Sequence, residues 1–315
     1  MDSSRFDRRA FADTDHAAAS PPSPAATLLM CEPAHFGVTY AINPWMDPAG
    51  WARDDHALAA AARREWTAYR RVLERLGAAI ELIPAAPGLP DLVFTANAAL
   101  VLDRTALLAR FRHPERQGEE AHVAAMFRAL QARGIVDHVF ALPEGVVLEG
   151  AGDCVWDATR QLFWMGHGPR SSLAAREAVK EIFGVDVVAL ELADPRFYHM
   201  DTALSALPSG EVMYVPGAFT AAGRAALHER VAPALRIELG ADDAARLAAN
   251  TVAIGDTLVM SACSRRLRGE LRERGYRVAT TSLAAFQRSG GSAFCLTLRL
   301  DRKSARGEMR RTEAA

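Results

Sequence analysis

An α/β fold arranged as a ring of repeated units is the class this sequence predicts, on three observations. Short β-rich runs alternate with amphipathic helical patterns along the chain. Polar residues recur at a near-constant interval: Asn43, Asn97, Glu149, His199 (with Asp201), Asn250 and Cys295 are 54, 52, 50, 51 and 45 residues apart. No GxGxxG opens a helix after the first strand, which argues against a two-domain dinucleotide-binding protein. A period near fifty points to a propeller-like or solenoid array. In a ring of five units, equivalent positions converge on the axis. Length alone, 315 residues, favours about two domains. The repeat argues instead for one closed domain over residues 27–302, with flexible extensions at 1–26 and 303–315.

Strands are expected at Thr27–Met30, Ile80–Ile83, Leu92–Phe94, Ala98–Leu102, Thr105–Leu108 and Val136–Ala141, where β-branched and apolar residues cluster between turn signals. Further runs follow at Cys154–Asp157, Leu162–Met165, Val185–Leu190, Leu204–Leu207 and Val212–Val215. The last set is Arg236–Leu239, Thr251–Ile254, Thr257–Ser261, Arg277–Thr280 and Phe294–Leu300. Helical periodicity covers His56–Leu76, Gly118–Arg133, Ser172–Phe183, Ala221–Val231, Asp242–Ala248, Ser264–Arg274 and Leu283–Ser289. The first 26 residues mix charge, Ser, Ala and Pro without apolar period, too little to offset ordering entropy.

Composition narrows the function classes. Lys+Arg total 37 against 38 for Asp+Glu, a net charge of -1, so the basic footprint of a general nucleic-acid binder is missing. No apolar run reaches the 18 or so residues that span a bilayer. Four cysteines without paired short spacing, and no signal-peptide pattern, point to a reducing, cytoplasmic setting. A soluble enzyme acting on a small molecule fits these bounds; a nucleic-acid or membrane partner does not.

Cys295 follows Gly290-Gly291 and precedes a β-forming run, which suggests a nucleophile at an exposed strand start. On a strand, His199 and Asp201 in YHMD face one side, pairing an acid/base with a carboxylate. Glu149 and Asp153 bracket Gly150-Ala151-Gly152, a tight loop delivering acids into a crevice. Asn97 sits in the apolar run PDLVFTANAALVL, where a buried amide needs partners. Each of these has an ordinary structural explanation when taken singly: a core cysteine, a surface dipeptide, a solvated turn, a backbone hydrogen bond. Arriving in phase with one repeat, they describe a thiol with an acid/base partner in a carboxylate-rich pocket. A planar cation with an electrophilic carbon, a guanidinium, is the substrate such a pocket suits.

These residues lie in six motifs: INPWM (42–46), PDLVFTANA (90–98), FRHPERQGEE (111–120), EGAGD (149–153), RFYHMDT (196–202) and GGSAFCLTLR (290–299). In that order the chain resembles the guanidino-group-modifying (pentein) superfamily, over about Leu28 to Leu300. The resemblance implies a five-bladed pseudo-symmetric α/β propeller of ββαβ units. It implies Cys295 as nucleophile on the guanidinium carbon and His199 as acid, then base, with Glu149 holding guanidinium nitrogens, helped by Asp201. Arg116 and Arg170 would clamp the substrate α-carboxylate, and Asn43 and Asp153 would take the α-amino end. No metal or organic cofactor is implied, because thiol chemistry and proton transfer suffice.

The chain is most similar to the arginine dihydrolase type, which gives ornithine, ammonia and carbon dioxide. Deiminases and dimethylargininases of the superfamily carry an aspartate where Asn97 stands. An uncharged amide could also hold the ureido group of citrulline and so permit a second attack. The alternatives are a dimethylarginine dimethylaminohydrolase or an arginine deiminase giving citrulline, then an amidinotransferase or a non-catalytic pentein that binds protein. The expected partner is L-arginine or a methylated arginine, with a homo-oligomer left open.

Overall fold

Hairpins form first in the logic of this chain. Ala99–Leu102 (β3) turns onto Thr105–Leu108 (β4) through Asp103 and Arg104, both at positive φ (50° and 61°), the twist a two-residue hairpin loop requires. A helix, Glu119–Ala132, then crosses over and returns the chain as His138–Phe140 (β5), parallel to β4. The computed structural model, which describes residues 25–307, repeats this ββαβ pattern round the molecule.

Cys154–Asp157 (β6), Leu162–His167 (β7) and Asp186–Glu191 (β8) make the next sheet, with helix Ala175–Phe183 as its crossover. Leu204–Ala206 (β9), Val212–Tyr214 (β10) and Arg236–Glu238 (β11) follow, crossed by Ala221–Arg230. Val252–Ile254 (β12), Thr257–Met260 (β13) and Arg277–Thr280 (β14) form the fourth, crossed by Arg265–Glu273. The fifth joins the two ends of the described chain. Ala26–Cys31 (β1) runs parallel to Ala78–Ile83 (β2) across helix Asp55–Arg75, and Leu298–Arg299 (β15) pairs antiparallel with β1, Leu28 opposite Arg299.

The innermost strands β3 and β6 are buried throughout, whereas the outer β5 and β14 are largely exposed or half-buried. Three apolar clusters stitch neighbouring sheets, and the third unites Leu28 and Met30 of β1 with Val252, Ile254 and Val259. The five three-stranded sheets are those of a pentein, as expected. Among the described residues, no helix is long and apolar enough to cross a membrane.

Two expected strands are corrected. Pro90–Val93 is a turn of 3-10 helix in place of a strand at Leu92–Phe94, with Phe94 N–H bonded to Asp91 C=O. The proline presets a helical φ and brings no N–H to a strand ladder. Phe294–Leu300 is a strand only at Leu298–Arg299. The residues before it coil, with Leu296 N–H bonded to Ser292 C=O and Thr297 N–H to Phe294 C=O. Local hydrogen bonds thus override a β-forming composition. The C-terminal extension expected at 303–315 begins packed: Ser304 is buried, and its N–H and Oγ donate to Asp103 at 2.8 and 2.6 Å. Residues 308–315, and all but the last two of 1–26, lie outside the described residues.

Candidate active site

The in-phase residues share a local structure that a strand pattern does not reveal. Asn97 ends a 3-10 turn (Thr95–Asn97) before β3, and Glu149 caps the turn Gly150–Asp153 before β6. His199 caps Met200–Ala203 before β9, and Asp201 lies inside that turn. Asn250 closes a turn before β12, and Cys295 lies in the coil before β15. His199 and Asp201 therefore do not share a strand face, and Cys295 is not at an exposed strand start but 2% exposed. Each polar side chain leaves a tight turn at the inner end of its sheet. Five such turns meeting on one axis bring residues two hundred apart in sequence into contact.

A cavity is lined by Cys295, His199, Asn97, Asn43, Arg116 and Arg170, with Asp91, Phe94 and Tyr198 among the residues between them. Six of the nine expected site residues thus face it. Glu149 stands immediately behind: its Oε2 is 2.7 Å from His199 Nε2 and accepts from Arg170 Nη1 at 3.1 Å. Burial pulls the Glu149 carboxyl up, but the hydrogen bond and charge of His199, with the charges of Arg170 and Arg116, hold it well below the usual carboxylate range. An ionised carboxylate at 2.7 Å fixes the orientation of the imidazole beside the cavity.

Asp201 reaches Cys295 from the other side. Cys295 Sγ donates to its Oδ2 at 3.1 Å, and burial pushes the carboxyl up to about 7. Burial, then the charge of Asp201, raises the Cys295 thiol well above its ordinary value. Asp201 Oδ1 and Ser292 Oγ, both beside Cys295 in space or sequence, are buried without a hydrogen-bond partner among the described residues. Buried polar atoms are seldom left so.

Asn97 is held by both ends of its amide: Arg116 Nη1 donates to Oδ1 at 2.9 Å, and Nδ2 donates to the Glu149 carbonyl at 3.2 Å. Arg116 itself is bound bidentately by Glu119, both contacts 2.8 Å, and lies over the Phe111 ring. Pairing with Glu119 outweighs burial and keeps Arg116 charged. Arg170 is held more lightly, by Glu149, the Ile42 carbonyl at 3.0 Å and the face of Tyr198. Asn43 bonds the Ser289 carbonyl at 3.1 Å and the Trp45 N–H at 2.9 Å, at the cavity rim.

Asp153 stands apart. Its Oδ2 accepts from Ser171 N–H and Oγ, and its Oδ1 from Met200 N–H at 3.1 Å. Both oxygens are occupied away from the cavity, so the expectation that it binds an α-amino group is corrected: it ties the Arg170-Ser171 segment to the His199 turn. The carboxyl that does line the cavity is Asp91, buried and bonded by Tyr40 Oη at 3.0 Å and Ser289 Oγ at 3.2 Å; burial pushes it up, against the pull of Arg116. Asp91 lies in PDLVFTANA, six residues before Asn97, where a run that reads as an apolar strand hides it. Tyr198 is likewise within RFYHMDT. Gly290 and Gly291 are required by packing: a Cβ on the first would meet Tyr198 Oη at 2.7 Å, and on the second the Phe94 ring at 2.2 Å.

Comparison with known proteins gives the same answer as the motifs. The family described as N,N dimethylarginine dimethylhydrolase, eukaryotic, matches residues 32–302. The bifunctional arginine dihydrolase/ornithine cyclodeaminase ArgZ of Synechocystis sp. is 38% identical, covering 87% of this chain and 37% of its own length. The chain thus spans well under half of that relative. N(G),N(G)-dimethylarginine dimethylaminohydrolase of Mycobacterium tuberculosis is 35% identical, covering 86% of this chain and 84% of its own. Two solved structures of the ArgZ N-terminal domain, one bound to substrate and one covalently bound to a reaction intermediate, each align with TM-score 0.81 at 36% identity. They cover 88% of this chain and 99% and 98% of theirs. The resemblance to guanidino-modifying enzymes is borne out.

Proposed function

This chain belongs to the N,N dimethylarginine dimethylhydrolase family, and on that premise we propose that it hydrolyses the guanidino group of L-arginine through a covalent bond to Cys295, giving L-ornithine, ammonia and carbon dioxide. The carrying observation is the uncharged Asn97 amide, locked between Arg116 and the Glu149 carbonyl beside the nucleophile. A carboxylate there would favour a cationic guanidinium alone. An amide donates and accepts, so it tolerates the neutral ureido group that one round of hydrolysis leaves.

Cys295 Sγ attacks the guanidinium carbon, and His199 protonates the departing terminal nitrogen, which leaves as ammonia. His199, held by Glu149, then takes a proton from water as it attacks the thiouronium, and the sulfur is released. Asp201, with its orphaned oxygen, takes a guanidinium N–H. A second attack, on the ureido carbon, releases the second ammonia; a second water frees the sulfur and leaves a carbamic acid on the substrate's Nδ, whose C–N bond breaks to give carbon dioxide and ornithine. Two waters in, and two ammonia, one carbon dioxide and ornithine out, balance the reaction. Arg170 meets the α-carboxylate, because its lighter tethers leave donors to spare, and Asp91 meets the α-ammonium. The protein works in the cytoplasm, where four unpaired cysteines remain reduced.

Incubation of the purified protein with arginine tests this directly. Ornithine with two equivalents of ammonia is expected. Stoichiometric citrulline without ornithine would overturn the proposal in favour of a deiminase. The family match and the Mycobacterium tuberculosis relative favour a second reading, a dimethylarginine hydrolase. Faster turnover of dimethylarginine than arginine, with dimethylamine released, would establish it.

A further inference from the structure

Asn250 takes no part in the chemistry above, yet it is fully buried and touches the nucleophile. Its turn is fixed by a bond from its own N–H to the Leu247 carbonyl, and by Thr251 Oγ1 to the Ala248 carbonyl. Both halves of its side-chain amide are used. Oδ1 accepts from Cys295 N–H at 3.2 Å, and Nδ2 donates to Cys295 Sγ at 3.0 Å and to the Asp201 carbonyl at 3.2 Å. The backbone N–H can only donate, so the oxygen must face it and the NH2 must face the sulfur. This settles the amide's orientation on chemical grounds.

The sulfur therefore stands between two side chains of opposite preference. Asp201 Oδ2, at 3.1 Å, accepts an S–H proton and repels a thiolate. The Asn250 contact strengthens when the sulfur becomes an anion, because the bond is then charge-assisted. We propose that Asn250 is the positioning residue of the nucleophile: it holds Cys295 Sγ at the cavity wall by the one side-chain contact that improves as the thiol loses its proton. The Asn250 hydrogen bond also works against the burial that raises the Cys295 thiol, as does one from the Ser292 backbone. The inference rests on Cys295 being the nucleophile of the reading above, and it does not depend on which guanidino compound is the substrate.

Asn250→Asp keeps the shape and the acceptor for Cys295 N–H but replaces the donor by a carboxylate. The readout is the rate of Cys295 alkylation by iodoacetamide against pH, followed by mass spectrometry of the Cys295 peptide, beside kcat and KM on arginine. Alkylation near neutral pH is expected to slow roughly 10- to 100-fold, and its midpoint to rise by about one pH unit or more. The arginine kcat falls with it while KM stays within about threefold. An unmoved alkylation midpoint would overturn the proposal. If Asn250→Asp does not fold, Asn250→Ser, which keeps a shorter neutral donor, decides the matter by the same two readouts, with a smaller shift expected. Alkylation needs no guanidino substrate. A protein inert towards arginine but normal in alkylation therefore speaks against the proposed activity, whereas normal turnover with an unmoved midpoint in the variant speaks against Asn250.

Discussion

Arg116 and Arg170 both present a buried guanidinium to the same cavity, yet they are held in different ways. Glu119 takes Arg116 in a two-pronged grip at 2.8 Å on each side, and Phe111 covers its face. Glu149 gives Arg170 a single contact at 3.1 Å and spends the same oxygen on His199. The first pair is the more closed, with two further donors taken by Asn97 and the Asp91 carbonyl. The second is open, sharing a charge among groups that must rearrange during a reaction. A buried arginine beside a site is thus not by itself a substrate clamp; spare donors make it one. The motifs assign both arginines to the α-carboxylate, and this difference favours Arg170 for that work and Arg116 for orienting Asn97.

The contrast can be broken at either pair. Glu149→Gln removes the charge that fixes His199, and turnover should fall by about 10³-fold or more, while urea denaturation shows a smaller loss of stability than Glu119→Gln causes. A stability loss equal to that of the closed pair would erase the distinction. Glu119→Gln leaves the Arg116 charge buried without its partner, and unfolding free energy should drop by about 3–5 kcal/mol. A loss below about 1 kcal/mol in urea titration would show that the closed pair is not structural. Arg170→Lys keeps charge but loses the fork, so KM should rise about 10-fold with kcat within a few fold. An increase in KM no larger than that of Arg116→Lys would reverse the assignment.

The smallest effect is one of stability at the open side. The Asp201 carboxyl is pushed up to about 7 by burial, from an ordinary 3.8. Between those values the folded protein holds a proton that the unfolded chain has released, so wild-type stability falls as pH rises through that window. Asp201→Asn should abolish turnover yet unfold at higher temperature above about pH 7, with a gain of about 1–2 kcal/mol that fades towards pH 4. Thermal melts across pH measure it; a variant less stable than wild type at about pH 8 would mean that Asp201 is not held at a cost.

Local chemistry is the legible part of this molecule. Thr105–Leu108, Cys154–Asp157 and Arg277–Thr280 lie where alternation and turn residues put them, and helix Asp55–Arg75 is one residue from its periodic pattern at each end. The repeat is legible too, because every unit must aim one side chain at the axis. PDLV and SAFC are not, since an apolar run looks the same whether a neighbouring strand is present or absent. Asp153 misleads for a related reason. A carboxylate in a glycine turn carries no mark of whether its partner is a ligand or, as here, Ser171. Glu119 is within reach, three residues beyond Arg116 on a helical path, but only burial distinguishes it from an ordinary surface pair.

The ring closes on its last strand, and Cys295, the proposed nucleophile, lies three residues before that strand. β15 pairs with β1 across some 270 residues of chain, so the sulfur meets Asp201 and Asn250 only after nearly all of the ring has left the ribosome. A nascent or truncated chain that ends after its fourth sheet lacks Cys295, the thiol that Asp201 and Asn250 hold. Birth order thereby imposes a silence on the chemistry until the circle is whole.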